Sequence, residues 1–185
     1  MKVTNLLKAF LLMLIPLLTF EQVLGQNDTT FTSGGITVTL PKTWETDVHD
    51  VSGSASYPDS IVRNNPASRI TLSHPKAGAF IMIEKNTLQL VQSFEAYSKY
   101  VAKIHLDIDG KRLKHRTFEW KGRKVLENII RWKGEIMGEG HFQHHDWYVL
   151  MDDNAITRIT FSSNNRDYYI HYKVAKAIMD SIEIE

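Results

Sequence analysis

An α+β domain, with a mostly antiparallel sheet of about seven strands packed against two main helices, is what this sequence predicts. Three observations carry that prediction. Apolar residues recur at every second position through most of residues 36–161. Two stretches, near 93–107 and 166–180, switch to spacings of three and four. Gly, Pro, Asn and Asp punctuate the runs at hairpin-like intervals.

The chain opens with Lys2 and Lys8, then a 12-residue apolar run from Ala9 to Phe20 broken only by Pro16 and Thr19, then Val23 and Gly25. A basic start, a short apolar centre and small residues before a cut site form the grammar of a secretory signal peptide, expected here over residues 1–25. A helix of that length falls well short of the roughly 30 Å of hydrocarbon a stable span must cross, so no transmembrane anchor is expected after cleavage. The expected product is therefore soluble and secreted or periplasmic. Cysteine is absent, which removes both disulfides and lipid attachment at a cysteine, and stability must rest on an apolar core. Residues 1–25 hold two of the 22 Lys+Arg and one of the 21 Asp+Glu, so the remainder carries 20 of each and no formal net charge. That balance argues against a nucleic-acid partner, which ordinarily requires a basic excess.

The polar residues 26–35, ending in Gly34-Gly35, read as a flexible leader, and residues 36–185 as the single domain. Ile36, Val38 and Leu40 alternate with Thr37 and Thr39, which predicts a half-buried strand ended by Pro41, with Trp44 folding back over its end. Residues 50–67, rich in Ser, Gly, Asn and Pro, read as the longest irregular segment, with residues 60–62 alone extended. Two short strands, 69–73 and 79–84, flank a turn at residues 74–78, and the consecutive apolar residues of the second predict a central position in the sheet. Ser93 caps a helix running to about Asp107, whose Phe94, Tyr97, Val101 and Ile104 form an inward stripe. A meander follows, with strands at 112–120, 125–132, 141–151 and 155–161 and turns at Lys121-Gly122, between Gly134 and Gly138, and at Asp152-Asp153-Asn154. A last helix from about Arg166 to Asp180 leads into a closing strand at 181–184.

That order of elements is distinctive. The strand Ile-Thr-Val-Thr-Leu-Pro-Lys-Thr-Trp (36–44), the helix start Ser-Phe-Glu-Ala-Tyr (93–97) and the finish Met-Asp-Ser-Ile-Glu-Ile (179–184) together resemble the PsbP-like superfamily. That superfamily takes its name from an extrinsic photosystem II subunit and shares its fold with a Ran-binding nuclear import factor and several bacterial envelope proteins. The resemblance implies an α-β-α sandwich and a role in binding or assembly rather than catalysis, with a protein or small ligand as partner. The absence of a recognisable thylakoid transit signal, and the predicted export, keep either of the named roles from transferring.

Three constellations bear on chemistry. His141, His144, His145 and Asp146 crowd one strand. On a strand His144 and His145 face opposite sides, and His141 and His145 share a side about 13 Å apart. A divalent metal could therefore be held only by His144 and Asp146 with a third ligand from a neighbouring strand, such as His115. Second, Lys111, Arg112, Lys114 and Arg116, reinforced across the hairpin by Lys121, Arg123 and Lys124, could dock an anionic partner. Third, nucleophilic catalysis finds little footing: Gly-x-Ser-x-Gly and His-Glu-x-x-His are absent and no thiol exists. The leading expectation is a non-enzymatic binding domain without a cofactor, the second a metal-binding module, the third a hydrolase.

Overall fold

A computed structural model describes residues 28–51, 59–65, 67–75, 78–104, 111–134, 140–164 and 167–185. The strands are β1 (Asp28–Ser33), β2 (Ile36–Pro41), β3 (Glu45–Val51), β4 (Val62–Asn64), β5 (Ala67–His74), β6 (Ala79–Leu90), β7 (Lys111–Trp120), β8 (Arg123–Gly134), β9 (Gly140–Leu150), β10 (Ala155–Asn164) and β11 (Glu183–Ile184). The helices are α1 (Phe94–Ile104) and α2 (Tyr168–Ser181). The main sheet has eight strands along the path β3-β5-β6-β10-β9-β8-β7, with β4 pairing the far half of β6, and a small sheet has the order β1-β2-β11. Every pairing is antiparallel.

Strand alternation sorts the main sheet into two faces. Trp147, Val149, Ile159, Phe161, Ile81 and Ile83 point to one, where they meet Tyr168, Ala175, Ile178 and Met179 of α2 and Ile36, Val38 and Leu40 of the small sheet. Leu126, Tyr148, Ile156, Leu88 and Leu90 point to the other, under Phe94, Tyr97 and Val101 of α1. Helices on opposite faces of one sheet make the α-β-α sandwich that the resemblance implies. Two cores form because a sheet with apolar residues on both faces must be covered twice.

The local signals explain most boundaries. Ser93 Oγ accepts the Ala96 N–H at 3.2 Å, the capping bond expected of a serine before a helix. Lys121 and Gly122 take φ of 50° and 74°, the positive pair that a two-residue hairpin matched to strand twist requires. Trp44 is 6% exposed, and its backbone N–H bonds the Pro41 carbonyl at 2.9 Å, so the side chain is packed in at the end of β2 as expected. Ile182 is fully buried where α2 turns into β11.

Elsewhere the structure revises the reading. Within the segment expected to be a flexible leader, Asp28–Ser33 form strand β1, and Gly34 and Gly35, at φ 57° and 72°, are the tight turn joining it to β2. That turn is held: Lys85 Nζ donates to the Gly34 carbonyl at 3.1 Å, and the Glu185 N–H to Gly35 O at 2.9 Å. Within the segment expected to be irregular, Val62–Asn64 form β4, while residues 52–58 lie outside the described set. Strand β6 runs to Leu90 rather than Glu84, passing through Asn86 at φ 52°. The signal-peptide expectation and the extension of α1 past Ile104 fall outside the described residues.

Candidate functional site

Strand β7 is the last strand of the main-sheet path, and its side chains alternate between the two faces of the sandwich. A register irregularity between Arg112 and Lys114 resets that alternation, so Arg112 and His115 face α1 while Lys114 and Arg116 face the α2 side. The basic residues therefore divide instead of forming one patch. On the α1 side, Arg112 Nη1 donates to the Ala102 carbonyl of α1 at 2.9 Å, and Lys124 Nζ lies 3.5 Å from Glu95. On the α2 side, Lys114 and Arg116 both reach Glu127 Oε2, at 2.9 and 2.5 Å. Lys121 pairs with Glu183 and the Ile182 carbonyl, and Arg123 with Asp152 at 3.5 Å. Lys111 is exposed at the strand start. Six of the seven cations thus hold partners within the chain, and their attraction for an outside anion is correspondingly reduced.

Between β7 and α1 lies an open groove of about 400 Å³, lined by Phe94, Glu95, Ser98 and Lys99 of α1 and by Thr117, Phe118, Glu119 and Lys124 of the hairpin. The four helix residues sit one turn apart in two pairs, which places them along one side of α1. His115 tethers the groove floor, its Nε2 3.2 Å from Ser98 Oγ and its Nδ1 3.4 Å from Asn128 Oδ1. Glu95 ionises more readily than an ordinary carboxyl because its own backbone N–H, the Lys124 ammonium and the Ser93 hydroxyl all favour the charged form. The groove thus presents the Phe94 ring at its base and charges of both signs at its rim, while the Phe118 ring turns to the opposite face and packs on Trp147.

Beneath α2, on the opposite side of the same hairpin, the arrangement is dry. Glu127 is 2% exposed and receives Lys114, Arg116 and His145, whose Nε2 lies 2.8 Å from Glu127 Oε1. Burial raises the Glu127 pKa, but these hydrogen bonds and the His145 charge outweigh it and hold the carboxyl well below the ordinary range. Trp147 Nε1 also points at His145 Nε2, 3.0 Å away. A nitrogen cannot donate to one group and accept from another, so we assign the proton to Nε2 and its bond to the carboxylate. Arg116 stacks over Phe118 and Lys176 over Trp147, each 5.1 Å from the ring centroid. Residue types interleave here in a way the basic run alone does not advertise, since Glu127 sits on the next strand, opposite Arg116.

The three candidate metal ligands stand on the α1 face without converging. His144 and Asp146 are neighbours on that face of β9, but His115 is separated from Asp146 by β8 and its Asn128, about 10 Å away by strand spacing. Asp146 is 1% exposed, and its Oδ1 accepts Arg158 Nη2 at 2.9 Å and Thr160 Oγ1 at 2.6 Å. Against the burial that raises it, Arg158, His144 and Thr160 lower the Asp146 pKa. Among the described residues no group of three His, Asp or Glu side chains is gathered closely enough to hold a metal ion.

The architecture shares the fold of cyanobacterial PsbP and yeast Mog1p. Cyanobacterial PsbP from Synechocystis superimposes with a TM-score of 0.50 at 8% identity, over 88% of this chain and 95% of that one. The yeast Ran-binding protein Mog1p does so with a TM-score of 0.50 at 9% identity, over 86% and 96%. The T6SS immunity protein TplEi from Pseudomonas aeruginosa, solved in complex with a peptide, gives a TM-score of 0.54 at 7% identity, over 86% and 98%. Coverage this complete shows a shared fold across the domain, and identities this low carry the fold alone. No family model matches the chain, and no curated protein matches it in sequence.

Proposed function

We propose that this chain is a non-catalytic domain, exported to the periplasm or the medium, that binds an extended segment of a protein partner along β7 in the groove against α1. The observation that carries the reading is the conjunction of a ten-residue strand at the end of the main-sheet path with an open groove running beside it. A terminal strand offers unpaired N–H and C=O groups to an incoming strand, and a neighbouring groove supplies pockets for its side chains. Phe94 would take an apolar side chain, and Lys99, Lys124, Glu95 and Glu119 would fix register through charge. The peptide complex of TplEi and the Ran-binding description of Mog1p support a binding role for this architecture. The amino-terminal sequence supports export.

A photo-crosslinking side chain at Thr117, in the groove, is compared with one at Val48 on β3, the opposite edge of the sheet, where 43% of the residue is exposed. Mixed with the extracytoplasmic fraction of the native host, the Thr117 probe should give a discrete adduct, and Ser98→Trp, which fills the groove, should abolish it. Equal adducts at both edges, or indifference to Ser98→Trp, would refute binding at β7.

A further inference from the structure

A second polar site lies on the α2 face, away from the groove. Arg131, Gln143 and Ser163 stand in one lateral row across β8, β9 and β10, because Gln143 is the register partner of both other residues. Directly opposed residues of antiparallel strands share a face, and Tyr168, from the first turn of α2, covers the same region by packing on Phe161 of β10, ring centroids 5.2 Å apart. Gln143, Ser163 and Tyr168 are each no more than 2% exposed.

The hydrogen bonds of this row are incomplete in one sense only. Arg131 Nη2 donates to Gln143 Oε1 at 3.2 Å, but Arg131 Nε, Ser163 Oγ and the Tyr168 hydroxyl are all buried without a partner. Burial raises the Tyr168 pKa and Gln143 lies close enough to offset part of that rise, yet the hydroxyl makes no hydrogen bond of full geometry. Buried polar atoms are ordinarily paired, and each one left alone costs about as much as a lost hydrogen bond. Every one of the three can donate, and a guanidinium nitrogen can do nothing else.

Charge makes the same point. Arg69, Arg116, Arg123 and Arg158 each meet a carboxylate, and Arg112 meets the carbonyl of Ala102. Arg131 meets no carboxylate among the described residues, and the nearby charge of Glu127 is already taken by Lys114, Arg116 and His145. The edge formed by Nε and Nη2 is one that grips a carboxylate side-on with two parallel bonds. Two water molecules would be needed to satisfy this set, whereas one carboxylate accepts about four hydrogen bonds.

We infer that Arg131, Ser163 and Tyr168, gathered around Gln143 on the α2 face, form a seat for a ligand carboxylate. The ligand is either a small free acid or the terminal carboxylate of a peptide, and both present the same planar pair of oxygens. This seat is independent of the β7 groove, so filling the groove leaves it intact.

The test is a titration of the ¹⁵N-labelled protein with sodium acetate, following the Arg131 Nε–H signal and the Gln143 and Ser163 amides, with sodium chloride at equal ionic strength as reference. Acetate should produce saturable shifts that chloride does not. Arg131→Gln should abolish them, and Ser163→Ala, a small change that preserves the packing, should weaken binding about tenfold. Tetra-alanine with a free or an amidated carboxyl end distinguishes the two sources. Tighter binding of the free-acid peptide than of acetate identifies a chain terminus, and binding of acetate alone identifies a small acid; either result upholds the seat. Shifts that fail to saturate, that chloride reproduces, or that survive both substitutions would overturn it and leave ordered water as the partner of the three donors.

Discussion

The two sides of the β7–β8 hairpin carry similar residue types and treat them oppositely. Toward α1, Lys124 and Glu95 face each other at 3.5 Å with about two thirds of each side chain in solvent. Toward α2, Lys114 and Arg116 reach a Glu127 that is almost wholly buried. Exposed pairs are screened and flexible and contribute little, whereas a buried carboxylate that loses its role leaves its partners stranded. The same strand therefore offers a fixed interior on one side and an adjustable surface on the other. A binding surface belongs on the second, where charges can exchange partners at small cost, and the groove lies there.

The sharpest way to break that contrast is Glu127→Gln. The amide removes the charge and turns a donor toward His145, Lys114 and Arg116. The expected loss is about 3 kcal/mol, the low end for breaking a buried pair because both cations on β7 are partly solvated. The pH dependence follows from the lowered pKa of Glu127. A carboxyl depressed in the folded state contributes stability that is fully present above its unfolded value near 4.5 and is lost as pH falls through the folded value. Chemical denaturation of the wild type at a series of pH values below about 4.5 should show a steep acid limb, and Glu127→Gln should flatten it. A variant as stable as wild type at pH 7 would show that the buried cluster is ornamental.

A smaller loss is expected on the α1 side. Phe94 is 5% exposed, packs with Tyr97 and Leu126, and also forms the base of the groove. Phe94→Ala should cost about 2 kcal/mol, less than a sealed-core phenylalanine, because water can enter the space it leaves. A denaturant midpoint lowered as far as in Glu127→Gln would mean that the groove base is as closed as the interior beneath α2.

How much of this was legible beforehand depends on where each signal resides. Periodicity located β2, β5, β7, β8, β9, β10 and both helices, because each sets apolar residues at the spacing of its own geometry, on one face or on both. It failed for β3, whose Glu45-Thr46-Asp47-Val48-His49-Asp50-Val51 runs along an exposed edge, and for β1, where Phe31 alone is apolar. A strand that buries little leaves no alternation to find. The site residues were visible as types but not as neighbours. The spacing of His144 and Asp146 suggests a pair of metal ligands, whereas the partners of Asp146 in the fold, Arg158 and Thr160, come from the next strand. Glu127 drew no attention, since only the β7–β8 register places it against Arg116. The groove was equally hidden, because it exists only once α1 lies beside the hairpin.

The mildest substitution tests the division most directly. Lys124→Glu replaces attraction to Glu95 with repulsion at the groove rim, where Glu119 already adds negative charge. Because both side chains of the pair are mostly solvated, the thermal midpoint should not change measurably. The Thr117 adduct should nevertheless change in yield, since a rim that gains two units of negative charge meets its partner in a different field, and it should change more at low salt than at high salt. A surface whose job is recognition separates these two readouts, moving binding while leaving stability alone. A lowered midpoint with an unaltered adduct would reverse that assignment and make the rim part of the scaffold.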